Sequence, residues 1–124
     1  PERDMVVGVG VDIVDIARFE RALARTPALA HRLFGDRADL SLPGASLAAR
    51  FAAKEATLKA LGGHIEGFSW HDIDVRGALG APPNLHLSGG TQARAADRKV
   101  TSHHLSLSHD AGMAIAFVVM ESAA

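Results

Sequence analysis

The apolar positions of this chain begin with a strand-like rhythm, turn helical, and return to strand-like in the second half. Met5 to Val11 reads MVVGVGV, a β-branched run interrupted by Gly8 and Gly10. It predicts a strand whose glycines let another backbone come close. Helical spacing follows at once, with Ile16, Phe19 and Leu23 on one face and Asp15 placed to cap the first turn. Arg18, Arg21 and Arg25 recur on the other face, and Pro27 marks the end of the helix. From His31 to Ala45 the pattern weakens to a short helix and a loop punctuated by Gly35, Pro43 and Gly44.

The clearest element is Ser46 to Leu61, SLAARFAAKEATLKAL, with no internal Gly or Pro. Ser46 is the expected N-cap, and Gly62-Gly63 the expected stop. Leu47, Phe51, Leu58 and Leu61 trace its apolar stripe, with Glu55 and Lys59 close together near the border. Four strands are predicted afterwards: Phe68 to Arg76, Leu85 to Ser88, His103 to Ser108 and Met113 to Met120. A turn at Pro82-Pro83-Asn84 separates the first two, and a short polar helix spans Thr91 to Lys99. Ser108 to Gly112 reads as a hairpin turn. This order implies one α+β domain over residues 1–124, with helices packed on a largely antiparallel sheet.

Composition narrows the class without naming a chemistry. The chain has 124 residues, enough for a single core. Its formal charge of −1 argues against a basic nucleic-acid binder, and few aromatics are available for base stacking. With no Cys there is no disulfide framework, thiolate metal site or thiol nucleophile. No apolar run approaches the roughly 20 residues of a membrane helix, and the opening PERD lacks a signal-peptide pattern. No membrane association and a cytoplasmic location are therefore expected.

Four features carry candidate chemistry, and each also has an ordinary use. Asp12 follows an apolar strand, where a carboxylate caps a helix or faces a site. Glu55 and Lys59 have the i, i+4 order of a surface ion pair. His109-Asp110 places an imidazole beside a carboxylate, and the Arg18/Arg21/Arg25 stripe is a solvated face or a landing for an acidic partner. His103 and His104 point to opposite strand faces, which argues against one shared metal. Phosphate chemistry would unite the set. Mg²⁺ takes one or two carboxylates and completes its shell with phosphate oxygens and water, and Asp12 with Glu55 offers that pair. Lys59 would neutralise a phosphate alongside, and the Gly62-Gly63 loop has no bulk to exclude a ligand. There is no Walker A pattern and no complete GxGxxG.

Three segments together resemble one family. Gly8-Val9-Gly10-Val11-Asp12-Ile13 looks like the N-terminal strand motif of the small bacterial holo-(acyl-carrier-protein) synthases. Arg50-Phe51-Ala52-Ala53-Lys54-Glu55-Ala56, continued by Lys59-Ala60-Leu61-Gly62, is similar to the signature helix of that family. Leu105-Ser106-Leu107-Ser108-His109 resembles its C-terminal motif.

The resemblance implies a 4′-phosphopantetheinyl transferase-like fold and transfer of 4′-phosphopantetheine from coenzyme A to a serine of an apo acyl carrier protein. Adenosine 3′,5′-bisphosphate would be released. It implies that Asp12 and Glu55 hold Mg²⁺ on the diphosphate, and that Lys59, Gly62, Ser108 and His109 line the coenzyme A site. Arg50 matches an arginine that binds the nucleotide phosphate end. Arg18 matches a position that meets the acidic carrier, and Arg21 and Arg25 extend that face. A homotrimer with sites at subunit interfaces is implied too. For the serine proton, a metal-bound water, Glu55 and the His109/Asp110 pair stand as alternatives. A fatty-acid carrier is the default substrate, with a polyketide or nonribosomal carrier as the alternative. Another metal-assisted phosphoryl enzyme and a silent carrier-binding module are the competing readings of the same residues.

Overall fold

The computed structural model describes residues 4–36, 40–77 and 82–123. Strand β1 (Asp4–Asp15) leads into α1 (Ile16–Arg25), α2 (Ala28–Phe34) and the long α3 (Gly44–Ala60). A 3₁₀ turn (Trp70–Asp72) then opens β2 (Ile73–Arg76), which is followed by β3 (Asn84–Leu87) and α4 (Gly89–Asp97). The last elements are β4 (Ser102–Asp110) and β5 (Met113–Ala123). β1, β5 and β4 form an antiparallel sheet in that order, and β2 and β3 make a separate antiparallel pair. The α+β class expected from the sequence is the class observed.

Successive strand residues face opposite sides of a sheet, and that alternation sets what α3 meets. On β5, Ala114, Ala116, Val118 and Met120 are fully buried beneath α3, while Ile115 and Phe117 are exposed. On β1, Gly8, Gly10, Asp12 and Val14 share the buried side, and Val9, Val11 and Ile13 face out. The glycines are there because α3 lies against them. A Cβ on Gly10 would overlap the Ala56 carbonyl oxygen and sit 2.8 Å from its carbonyl carbon; one on Gly8 would strike Ala60 in the same way. The close backbone approach expected from the glycines is therefore realised against α3.

Five sequence expectations shift. β1 runs on to Asp15, so Asp12 lies within the strand rather than beyond it. α3 starts at Gly44, with Pro43 at the cap position and no side-chain cap, so Ser46 is inside the helix. The buried face of α3 is mostly alanine, namely Ala48, Ala49, Ala52, Ala53, Ala56 and Ala60, with Leu47 at one end. Phe51 and Leu58 of the expected stripe are only half-buried, because a backbone packed this close leaves no room for large side chains. Finally, Ser108, His109 and Asp110 belong to β4, and the turn is only Ala111-Gly112.

The expected strand from Phe68 also starts later, at Ile73, after a 3₁₀ turn capped reciprocally by Ser69 and Asp72. Part of the loop before α3, residues 37–39, and residues 78–81 ahead of the expected Pro82-Pro83 turn lie outside the described residues. Among the described residues no helix is long and apolar enough to cross a membrane.

Candidate active site

Asp12, Glu55 and Lys59 come together where β1 crosses α3. The glycines at 8 and 10 bring strand and helix into contact, and the next inward position, Asp12, is the first to carry a side chain long enough to reach along the helix. The Lys59 ammonium donates to the Val11 carbonyl at 2.9 Å and to Asp12 Oδ1 at 3.2 Å. Side chains on a helix lean toward its N-terminus, which carries Lys59 back toward Glu55, one turn earlier. Asp12 is largely covered and Lys59 more than half exposed, so the cation is open to solvent and the carboxylate is not.

Glu55 is half-buried, and burial is the main reason its carboxyl is pushed above the ordinary range. The Asp12 carboxylate pushes in the same direction, while Lys59 opposes both. Two carboxylates placed this close form a ready site for a hard cation. Among the described residues no group of three or more acidic, His or Cys side chains could hold a metal. Asp12 and Glu55 thus suit a cation that takes two protein oxygens and completes its shell from water and phosphate, as Mg²⁺ does.

The remaining expected residues stand apart from this centre. Arg50 precedes Glu55 by five residues, about 140° around the helix. Its guanidinium donates to the Val75 carbonyl at 2.5 Å, on the β2 side of α3. His109 pairs with Ala114 on the far edge strand. Asp12 is two strands and two residues away, roughly 12 Å between Cα atoms by sheet spacing. Ser108, His109 and Asp110 are all exposed, and alternation turns Ser108 and Asp110 to the opposite face from His109. Gly62 is exposed just beyond α3 with φ +98°. Arg18, Arg21 and Arg25 are exposed along α1, whose first turn is capped by Asp15 accepting from the Arg18 amide at 3.0 Å.

Sequence reading assigned no role to Lys54. It is 4% exposed, the deepest cation in the chain's described part. Its ammonium donates to the Trp70 carbonyl at 2.8 Å and to the Ile73 carbonyl, fastening α3 to the 3₁₀ turn and β2. Burial lowers its pKa to about 8, against the pull of Asp74 and with a smaller push from Arg50. Its position was available in the pattern, because residue 54 fills the gap between Phe51 and Leu58 in the apolar stripe. A cavity of about 570 Å³ opens beside it, lined by Phe34, Ile73, Asp74, Arg76 and His86 among others. That cavity lies on the β2 side of α3, away from Asp12 and Lys59.

Known proteins place this geometry. The family model of the 4′-phosphopantetheinyl transferase superfamily matches residues 8–118. A holo-[acyl-carrier-protein] synthase of Leifsonia xyli subsp. xyli is 53% identical over 117 residues, covering 94% of this chain and 98% of the relative. The crystal structure of the Helicobacter pylori holo-[acyl-carrier-protein] synthase in complex with coenzyme A superposes with a TM-score of 0.78 at 34% identity, over 90% of this chain and 98% of that one. A Bacillus anthracis holo-(acyl-carrier-protein) synthase in complex with CoA (3′,5′-ADP) gives a TM-score of 0.73 at 35% identity, over 95% and 98%. With the strand motif, the signature helix and the whole topology matched, the chain belongs to the 4′-phosphopantetheinyl transferase superfamily.

Proposed function

We propose that this chain carries out the reaction of its relatives, moving 4′-phosphopantetheine from coenzyme A to a serine of an apo acyl carrier protein, with Mg²⁺ held by Asp12 and Glu55. The observation that carries the metal assignment is the convergence of these two carboxylates beside the Lys59 ammonium. When bound, the cation would draw charge from the diphosphate oxygens and fix their orientation. Lys59, anchored on the Val11 carbonyl and Asp12, supplies a further positive charge to the departing phosphate. The carrier serine loses a proton as it attacks, and Glu55 and the His109/Asp110 pair are the alternative side-chain acceptors for it.

One chain keeps the proposed residues in two groups, and this supports an assembly with sites shared between copies. Asp12, Glu55, Lys59 and Gly62 follow β1 and the β1 side of α3. Arg50 and the Ser108–Asp110 segment lie elsewhere on the molecule. The outward face of the sheet is apolar and open, with Val9 and Val11 each 52% exposed, Ile13 57% and Phe117 45%. A contiguous apolar patch of this kind marks a protein interface, here one between copies in a homotrimer. Arg18, Arg21 and Arg25 on α1 form the docking face for the acidic carrier, working in the cytoplasm on a fatty-acid carrier.

Incubation with coenzyme A, Mg²⁺ and an apo carrier, followed by weighing the carrier, tests the reading. The carrier should gain the phosphopantetheine mass, and adenosine 3′,5′-bisphosphate should appear only when the carrier is present. No mass gain across several carriers would reject the assignment. Sedimentation of the purified protein should give the mass of three chains.

A further inference from the structure

Two arginines, Arg94 in α4 and Arg98 just past its end, reach the exit of α3, and they do so in different ways. Arg94 is half-buried and donates from its two terminal nitrogens to the carbonyls of Leu61 and His64, at 2.9 and 3.0 Å. It closes the Leu61–His64 loop as a structural clasp. Arg98, one turn later, is exposed and has no hydrogen-bond or ion-pair partner for its side chain among the described residues. Its guanidinium nonetheless fills the space beside Gly62, one terminal nitrogen nearest. A Cβ placed on Gly62 would come within 2.8 Å of Arg98 Cζ and 3.3 Å of one terminal nitrogen.

A guanidinium with five donors, parked on a bare backbone and lacking an anion, is prepared to receive one. Its place relative to the other charges says which kind. Gly62 follows Lys59 by three residues and Glu55 by seven, so Arg98 sits roughly 10 Å along the helix from the paired carboxylates. That distance is too long for one phosphate to touch both, and it suits a ligand with phosphate groups spread along its length. The local charge balance points the same way. Asp12 and Glu55 are two anions against the single cation Lys59, and Lys59 is already engaged with Asp12. A polyphosphate ligand needs more positive charge than this centre holds, even with a divalent cation present.

We propose that Arg98 is a phosphate-contacting residue of the coenzyme A site, lifting from Gly62 to make charge-assisted hydrogen bonds to the bound cofactor. The proposal rests on the coenzyme A reading above. It adds a determinant from the end of α4, an element to which none of the sequence motifs assigned a role. The phosphate in question is either the diphosphate or the 3′-phosphate, two sources of the same chemistry.

Calorimetric titration of the wild-type protein and of Arg98→Gln with coenzyme A and with dephospho-coenzyme A tests this directly. Arg98 is exposed, so the variant should melt with the wild type. Coenzyme A should bind the variant about tenfold more weakly, with a shallower dependence on salt. A loss of the same size with dephospho-coenzyme A assigns the contact to the diphosphate; a loss seen only with coenzyme A assigns it to the 3′-phosphate. Binding weakened by less than about threefold overturns the role of Arg98, provided the wild type binds. If the wild type itself fails to bind coenzyme A, the functional reading falls and this proposal falls with it.

Discussion

The two flanks of α3 meet the rest of the molecule by opposite means. Toward β1 the contact is made of absences: Gly8 and Gly10 have no side chains, and Ala52, Ala56 and Ala60 have the smallest available. Backbones then meet at van der Waals distance, and the position of Asp12 relative to Glu55 is fixed by shape. Toward β2 the contact is made of long cations, with Arg50 reaching the Val75 carbonyl and Lys54 reaching those of Trp70 and Ile73. These carbonyls end in loops and short strands that lack full ladder partners, and a flexible donor satisfies them without demanding exact shape. One flank is rigid because nothing can move; the other holds because each polar group has a partner.

Breaking the close-packed flank should have the largest effect. Gly10→Ala places a methyl group inside the Ala56 carbonyl, and helix and strand must separate. We expect a loss of about 4 kcal/mol or more, read as failure to fold or as a lost thermal transition. The polar flank should fail more gently. Lys54→Met takes the ammonium from the Ile73 carbonyl and leaves the Trp70 carbonyl only the Ile73 amide, but it removes a buried charge, for a loss of about 2–3 kcal/mol in chemical denaturation.

That flank also carries a pH signature. The folded pKa of Lys54, about 8, lies below its ordinary value, so the unfolded chain binds the proton more readily. Stability from this group therefore rises with pH across the interval from about 8 to 10.5. The Lys54→Met variant should lack that rise.

Glu55, on the rim of the tight flank, gives the opposite sign. Its folded pKa is raised, so the folded state holds the proton more tightly and loses stability as pH climbs through that pKa. Glu55→Gln, measured in chelator, should raise Tm by about 2–4 °C at pH 7 and leave it unchanged near pH 3.5, where Glu55 is protonated anyway. The same variant should lose transferase activity, a trade of stability for function. The smallest effect belongs outside both flanks. Arg18→Ala should raise the carrier KM several-fold at low salt, less at high salt, with coenzyme A affinity and Tm unchanged.

The sequence was most legible where chemistry and geometry demand the same residue. Gly8 and Gly10 announced a close approach before the partner was known, and the Ser108–Gly112 segment announced the hairpin that joins β4 to β5. Asp12, Glu55 and Lys59 were each ambiguous alone, because a cap, a surface pair and a site use the same residue types; their meeting depends on strand β1 crossing α3, which no local pattern states. Lys54 was hidden by its type, since a lysine reads as surface unless its place in the apolar stripe is weighed against its charge. The start of α3 was misplaced by the serine at 46, because the helix begins at a Pro43 that needs no side-chain cap. The separation of Arg50 and His109 from the carboxylates lay beyond pattern altogether, being a property of helix phase and of strand order.

The strand order has a consequence for how such a chain is born. β5 lies in the middle of the sheet, hydrogen-bonded to β1 on one side and β4 on the other, yet among the described strands it follows all the others in chain order. Until Met113–Ala123 emerges, β1 has no partner in its own chain, and α3 has only half a floor to rest on. The nascent polypeptide must carry the hydrogen-bonding edge of β1 unpaired until that point. Folding is thereby deferred to a late event that joins strands far apart in the sequence, a high-contact-order step in which exposed strand edges compete with neighbouring molecules.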